Sequence, residues 1–214
     1  MLAPQFRRRL TAQLEDARRR GMLGPGAVEA HLDHAEAMAA AVDGDFRGRF
    51  LDLGSGAGVP GLILLAVWPA ATGVLLDARH RRCSFLDTAL RELGLSDRAS
   101  VACGRAEELA RRQDLRGAFD LVVARAFGAP ATTAECAVGF LRAGARLVVS
   151  EPPGEADPMR WPEAGLRELG LLGPELRRAE GAGTALFTAG GPPGERWPRR
   201  VGVPGRRPLW GTPA

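Results

Sequence analysis

The chain has 214 residues, of which 45% are hydrophobic and 25% are charged, and its formal net charge is +4. This length and composition fit one globular domain with short extensions. No apolar run approaches the roughly 20 residues that cross a bilayer, and none follows the basic N-terminus, so we expect neither a membrane span nor a secretory signal.

The first 45 residues predict a helical extension. Residues 5–20 predict a basic helix, with six arginines against two acidic residues. A glycine-rich break separates it from a second helix over 27–42, whose apolar residues recur at helical spacing. Two histidines, His31 and His34, share a face of this helix. Since no other residues complete a ligand set around them, we predict no metal site.

Strands and helices alternate from residue 49 onward. Five short apolar strands are predicted, at 49–53, 73–77, 99–102, 119–124 and 145–149. Helices are predicted between and after them, at 59–67, 80–94, 105–112, 130–141 and 161–169. This alternation predicts a parallel sheet covered by helices on both faces. Two later strands, at 175–179 and 184–188, bring the total to seven.

The first strand ends in a glycine-rich loop. A strand that breaks into glycines and opens a helix brings bare backbone N–H groups close to a ligand. Asp52 lies inside the strand, where its carboxylate would repel a pyrophosphate but suits the cationic amino-acid end of S-adenosylmethionine (SAM). We therefore predict a SAM site at Asp52, Gly54, Ser55, Gly56 and Gly58. A nicotinamide or flavin site is the alternative, because the glycines also satisfy the dinucleotide pattern.

The ends of the next three strands are expected to complete this site, because ligands of doubly wound sheets bind beyond the carboxyl ends of the strands. Asp77 ends the second strand, where an acid can accept hydrogen bonds from both ribose hydroxyls. Ala106 and Glu107 follow the third strand, where backbone groups could meet the adenine edge. Arg125 follows the fourth. Since a buried arginine needs a partner, we expect it to pair with the cofactor carboxylate, a substrate phosphate or Asp120.

The three cysteines, Cys83, Cys103 and Cys136, are widely spaced and lack a CxxC pattern. We interpret them as reduced packing residues, not metal ligands, of a cytoplasmic protein. The sequence does not fix the oligomeric state, and we expect a monomer.

Residues 190–214 predict an arm rich in proline, glycine and arginine, with five arginines against one acidic residue. Basic ends on a mildly acidic body suit an anionic polymer. The candidates for contacting it are Arg199, Arg200, Arg206 and Arg207. Solvated tails are the alternative, because all basic residues of this chain are arginine and the bias extends throughout.

These motifs together resemble the RsmG family, also called glucose-inhibited division protein B. The resemblance rests on residues 52–61, 81–86, 105–107, 124–127 and 199–210. It implies an α/β class I SAM-dependent methyltransferase with a Rossmann-like, seven-stranded, mostly parallel sheet. The SAM-binding domain would span residues 46–189, between the extension over 1–45 and the arm over 190–214.

By position, the resemblance implies that five residues contact SAM: Gly54, Val59, Ala106, Glu107 and Arg125. Arg125 is also the candidate catalytic residue. The implied reaction is methyl transfer to N7 of a guanine, with ribosomal RNA or the small ribosomal subunit as partner. Because N7 already has a lone pair, no general base is required, and positioning would carry catalysis. The alternatives are a paralogue acting on another RNA or a small metabolite, and a SAM-binding protein without methyl transfer.

The chain departs from the family pattern at three places, the first of which is the absence of an Asn-Leu-Thr-like stretch in the entry region. Only His31 remains of a His-x-x-Asp-Ser pattern in the second helix. After the fifth strand, Ser150, Glu151 and Pro152 replace a Leu-Lys-Gly run. Glutamate therefore stands where the family pattern has lysine, and this exchange changes the charge beside the expected RNA-facing rim by two units.

Overall fold

The computed structural model describes residues 3–42, 45–152, 154, 157–179 and 182–211. Its strands are β1 (Arg49–Leu53), β2 (Thr72–Asp77), β3 (Ala99–Cys103), β4 (Phe119–Ala124), β5 (Leu141–Glu151), β6 (Leu171–Ala179) and β7 (Ala182–Ala189). They form a seven-stranded sheet in the order β3-β2-β1-β4-β5-β7-β6. The first five strands pair in parallel, and β7 lies antiparallel between β5 and β6. The predicted fold class is confirmed.

The helices follow the predicted alternation. They are α1 (Pro4–Arg19), α2 (Val28–Ala40), α3 (Gly61–Val67), α4 (His80–Leu93), α5 (Ala106–Leu109), α6 (Pro130–Val138), α7 (Glu163–Glu168) and α8 (Val203–Arg206), with a 3-10 turn at Pro158–Arg160. The helix predicted over 105–112 is much shorter than expected. It ends at Leu109. The carbonyl of the next residue, Ala110, accepts a hydrogen bond at 3.2 Å from the side chain of Arg116 and not from a further turn of helix.

The sheet separates two hydrophobic cores, because successive side chains of a strand point to opposite faces. In β4, Leu121 and Val123 pack with residues of α1 to α4. Their neighbours Val122 and Ala124 pack on the other face with residues of α5, α6 and α7. Burial on both faces explains why the parallel strands read as continuous apolar runs rather than alternating ones.

The N-terminal extension packs into the first of these cores. Leu10 and Leu14 of α1 are fully buried there. Arg7 of α1 also donates at 2.6 Å to each of two α2 carboxylates, those of Asp33 and Glu36. The two helices therefore form one layer against α3 and α4, and the domain boundary at residue 45 stays a prediction.

The C-terminal arm is held against the sheet domain by arginine side chains. Besides Ala110, the Arg116 guanidinium donates to the backbone carbonyls of Pro193, Gly194 and Trp197 at 2.8–3.1 Å. One planar guanidinium with five N–H donors thus binds four carbonyls, three of them in the irregular arm. This bonding satisfies backbone groups that no helix or strand would satisfy.

Arg199 docks the arm on α6. Its Nε and Nη2 donate to the two carboxylate oxygens of Glu135 at 2.8 and 2.6 Å, and its backbone N–H also reaches this carboxylate. Glu135 is fully buried. The same Nη2 donates to the carbonyl of Arg207 at 2.8 Å. The guanidinium predicted to contact RNA is therefore engaged within the chain.

The interpretation of all three cysteines as reduced is wrong. Cys83, in the first turn of α4, forms a disulfide with Cys103 at the end of β3, and only Cys136 is free and buried. The two bonded residues are 20 positions apart with Cα atoms at 5.8 Å. Their pairing follows from the packing of α4 beside β3, and their sequence spacing carries no sign of it.

Replacing Arg199 should destabilise the fold. In Arg199→Ala the buried Glu135 carboxylate loses its cation, so we expect the free energy of unfolding to fall by about 3 kcal/mol. Urea denaturation followed by circular dichroism measures the change. Arg200→Ala is the control, since its exposed side chain has no partner among the described residues. Equal stabilities of the two variants would contradict this role of Arg199.

Candidate active site

Three cavities meet at the carboxyl edge of the sheet. The β2–β3 cavity, of about 280 Å³, lies beside Asp77 and residues 104–107. The loop cavity, of about 370 Å³, lies along residues 54–57 of the glycine loop. The β4–β5 cavity, of about 430 Å³, lies beside residues 149–152. Ala126, just after β4, lines all three and has the left-handed backbone conformation, with φ +53°.

The Asp52 carboxylate fixes the glycine loop through two hydrogen bonds. Its Oδ2 accepts hydrogen bonds from the Ser55 hydroxyl at 2.6 Å and from the Gly61 N–H at 2.9 Å. These two bonds fix the beginning of the loop and its entry into α3. Gly54 has φ +75°, and a Cβ there would lie 2.5 Å from the Phe127 ring. The loop thus needs glycine both for its conformation and for its approach to Phe127.

The second oxygen of Asp52 has no partner. Oδ1 is buried without a hydrogen bond among the described residues, and the residue as a whole is 1% exposed. Burial raises the pKa of Asp52 to about 6, against the hydrogen bonds from Ser55 and Gly61, which lower it. An orphaned, desolvated carboxylate oxygen is a place where a cationic ligand would be stabilised.

Asp77 connects the loop to the β2–β3 cavity. Its Oδ2 accepts from the Gly56 N–H at 3.0 Å and faces an Arg82 Nη1 at 3.4 Å. Its Oδ1 accepts from the Arg79 N–H at 2.9 Å. The side chain is nearly buried and lines the cavity, so its remaining lone pairs can serve a hydroxyl-bearing ligand.

The Glu107 carboxylate forms a hydrogen bond with the C-terminal arm beside the β2–β3 cavity. Its Oε1 accepts from the Gly202 N–H of the arm at 2.9 Å and from Arg105 at 3.2 Å. Burial works to raise the pKa of Glu107, but these donors hold it below its usual range. Gly202 and Gly205 line the cavity beside Ala106. The arm therefore forms one wall of a cavity that β2 and β3 begin.

Arg125 lies between the loop cavity and the β4–β5 cavity and lines both. Its half-buried guanidinium donates from Nη2 to Nδ1 of His31 at 2.6 Å, the only hydrogen bond its side chain makes among the described residues. The partner predicted within the chain, Asp120, instead binds Arg142 and the Arg49 N–H. Arg125 thus keeps most of its donors, and its charge, for a ligand.

The β4–β5 cavity is lined by polar pairs. His34 Nε2 lies 2.8 Å from the Ser150 hydroxyl. Glu151 accepts from Arg160 Nε at 2.9 Å and from Trp161 Nε1 at 3.0 Å, and it is 9% exposed. The carboxylate of Glu151, which stands where the family pattern has a lysine, is thus paired with Arg160 at this rim.

Comparison with known proteins identifies the family. The sequence model of GidB, rRNA small subunit methyltransferase G, matches residues 26–151. The chain is 32% identical to the ribosomal RNA small subunit methyltransferase G of Fervidobacterium nodosum, over 75% of this chain and 76% of that protein. It is 34% identical to the protein of the same name from Thermotoga neapolitana, over 84% of this chain and 79% of that one. The chain belongs to the RsmG family.

Solved structures agree with RsmG membership at the level of the fold. A SAM-dependent O-methyltransferase from Thermotoga maritima has a TM-score of 0.57 and 16% identity, covering 84% of this chain and 70% of that one. An O-methyltransferase of neocarzinostatin biosynthesis, solved with SAM, has a TM-score of 0.60 and 18% identity, covering 75% and 56%. Family and fold together confirm the predicted methyltransferase activity and SAM as the cofactor.

The structure brings most of the site residues predicted for RsmG to these cavities. Those that line the β2–β3 cavity are Gly54, Asp77, Ala106 and Glu107. Those that line the loop cavity are Gly54, Ser55, Gly56, Val59 and Arg125. Asp52 and Gly58 line neither and act from within the loop. A Cβ at Gly58, where φ is +86°, would lie 2.4 Å from Leu62. Of the predicted RNA contacts, Arg200, Arg206 and Arg207 are exposed.

Sequence reasoning missed two groups of residues at this RsmG site. His31 was considered only as a metal ligand, although it was the one residue retained from a family pattern. Gly202 and Gly205 were placed in an RNA-binding arm and not beside the cofactor. Their surrounding Val-Gly-Val-Pro-Gly run, which belongs to the family resemblance, was the available signal.

The described part of the chain contains no helix that is both long and apolar enough to cross a membrane. Within the same residues, no group of three or more histidine, cysteine, aspartate or glutamate side chains is placed to hold a metal ion.

Gly56→Asp should abolish SAM binding. Gly56 has φ +58°, its N–H donates to Asp77, and a Cβ there would lie in ordinary contact with the Gly54 carbonyl oxygen at 3.8 Å and Arg82 Nη1 at 3.9 Å. A carboxylate there would occupy the loop cavity and repel Asp77. Calorimetric titration with SAM measures the loss. The matched control is Gly144→Asp, which has φ +73° and open surroundings in β5. Wild-type affinity in Gly56→Asp would contradict the placement of the cofactor.

Proposed function

We propose that this protein transfers the methyl group of SAM to N7 of a guanine in small-subunit ribosomal RNA. The observation that carries the proposal is the junction at Arg125 and Ala126, where cavities suited to the cofactor open directly onto the β4–β5 cavity. RsmG membership supports the choice of RNA and of the methylated atom.

The residues present fit SAM in charge and in shape. The orphaned Oδ1 of Asp52 suits the amino group of the methionine part, and the guanidinium of Arg125, with most of its donors unused among the described residues, suits its carboxylate. Asp77 would accept the ribose hydroxyls, and Ala106 with Glu107 would border the adenine. Gly54 keeps the backbone close enough for this contact. When bound, SAM supplies an electrophilic methyl group on a sulfonium.

The β4–β5 cavity is our candidate site for the target guanine. It is lined by Arg125 and Phe127, each of which also lines one of the other two cavities, and by the buried Trp161. An arginine can donate to guanine O6, next to N7, and aromatic rings stack on unpaired bases. Because N7 needs no proton removed, the task of these side chains is to orient the base and to exclude water.

The exposed arginines of the arm are proposed RNA contacts. Arg200, Arg206 and Arg207 are exposed and flank Gly202 and Gly205, which line the β2–β3 cavity. RNA bound by these residues would lie at the mouth of the cofactor site. We leave Arg199 out of this set because its guanidinium binds Glu135. An assembled small subunit or its free RNA is the proposed partner, and the proposed location is the cytoplasm, where ribosomes are assembled.

Methyl transfer from radiolabelled SAM to small ribosomal subunits and to protein-free RNA tests the function directly. We expect 7-methylguanosine in nucleoside digests of one of the two, because the cavities meet beside a site that can hold an unpaired base. RNA from large subunits serves as the control. Intact SAM binding without incorporation into any RNA would reject the proposal and favour a metabolite substrate or a protein that only binds SAM.

Reversing the charge of Arg200, Arg206 and Arg207 to glutamate should weaken RNA binding. If all three contact phosphates, the slope of log affinity against log salt should fall by about two to three. Filter binding across a salt series measures the slope. SAM affinity should remain because Arg199 still docks the arm.

The matched control replaces Arg47, Arg91 and Arg142 by glutamate, which changes the net charge by the same amount as the variant of the arm. All three are exposed and lie at the amino edge of the sheet, away from the cavities. Equal loss of RNA affinity in the two triple variants would show that total charge matters and not the arm.

A further inference from the structure

His31 connects the N-terminal extension to Arg125. The histidine lies in α2, 94 positions before the arginine, and its Nδ1 is 2.6 Å from Arg125 Nη2. Its other ring nitrogen, Nε2, is 3.3 Å from the carbonyl of Gly24, in the segment before α2. The side chain is 7% exposed and lines the loop cavity together with Gly24.

This geometry fixes the protonation state of His31. A guanidinium can only donate, so Nδ1 must be the unprotonated nitrogen, and Nε2 carries the proton and donates to Gly24. Burial, and then the charge of Arg125, lower the pKa of His31 below its ordinary 6.5. A protonated ring would place an N–H donor and a second positive charge against the guanidinium, and the contact would break.

Arg125 depends on this contact for its orientation. Among the described residues its guanidinium has no other hydrogen bond, and it follows directly on a buried strand end and precedes the left-handed Ala126. Besides His31, two titratable groups interact with Arg125. The first is Asp52, whose ionised form is favoured by the charge of Arg125. The second is His34, whose pKa is lowered mainly by burial and further by the charge of Arg125.

We propose that His31 is a positioning residue, which holds the Arg125 guanidinium where it receives the carboxylate of the cofactor's methionine group. The inference rests on the proposed placement of SAM in the loop cavity. It gives the N-terminal extension a direct part in cofactor binding: α2 supplies the acceptor, and Gly24 fixes the tautomer in which the acceptor faces Arg125.

Side-chain replacements distinguish orientation from simple packing. The amide oxygen of asparagine can take the place of Nδ1, whereas the amide of glutamine reaches further, toward the place of Nε2. We expect His31→Ala and His31→Gln to bind S-adenosylhomocysteine about tenfold or more weakly, since a bonded charged group has lost its alignment. His31→Asn should stay within about threefold of the wild type.

The ligand probes separate the carboxylate from the rest of the cofactor. S-adenosylhomocysteine carries the carboxylate of the amino-acid part and is not turned over, and its decarboxylated analogue keeps the amino group but lacks the carboxylate. Calorimetry should show the losses for the first ligand and nearly equal affinities of all variants for the second. Equal losses for both ligands, or equal affinities of the asparagine and glutamine variants, would reject the positioning role and leave a packing role.

A measurement on the ring itself remains decisive if a variant fails to fold. Because burial raises the pKa of Asp52 to about 6, close to the ordinary value of a histidine, a pH profile of binding would mix two groups. The ¹⁵N resonances of His31 report its tautomer and pKa separately. We expect a neutral ring protonated at Nε2 in the wild type, and a rise of the His31 pKa in Arg125→Ala. A ring protonated at Nδ1, or a pKa that does not respond to Arg125→Ala, would overturn the inference.

The two proposals fail in different ways. If the wild type methylates no RNA but the His31 variants lose affinity for the carboxylate-bearing ligand, the positioning role stands and the substrate assignment falls. If RNA is methylated and the affinities are unaffected by His31, the function stands and the positioning role falls.

Discussion

The buried carboxylate of Asp52 is the constraint on which the site depends. One of its oxygens binds both Ser55 and Gly61, so the loop is fixed at its start and at its entry into α3. The loop in turn presents Gly56 to Asp77 and thereby joins two strand ends. Burial of this charge costs free energy, which the two hydrogen bonds only partly offset. Because Oδ1 has no hydrogen bond among the described residues, a cationic group bound next to it would stabilise the loop.

The sheet supplies only part of the binding site, and the two ends of the chain supply the rest. The N-terminal extension contributes His31, which meets Arg125, and the arm contributes Gly202, which meets Glu107. Both contacts involve residues just after a strand, where side chains from separate elements converge. The extension and the arm are thus structural parts of the candidate cofactor site, and the arm is also a candidate surface for RNA.

Local patterns predicted the strands, the glycine loop and Asp77, because each follows from burial, backbone freedom or position at a strand end. Pairings across the chain could not be predicted in the same way. The contact of His31 with Arg125 spans 94 positions, and that of Glu107 with Gly202 spans 95. Both depend on how helices and the arm pack. The Cys83–Cys103 disulfide was not predicted for the same reason, because the spacing of cysteines in the sequence does not show which of them lie close together in the fold.

The pairing of Glu151 with Arg160 and Trp161 limits which residues position 151 can accept. Lysine at position 151, as in the family pattern, would put a cation beside Arg160 and leave the indole N–H of Trp161 without an acceptor. Replacing Glu151 alone is therefore costly in this chain. An exchange at position 151 needs matching changes at positions 160 and 161, so the three residues act as one unit.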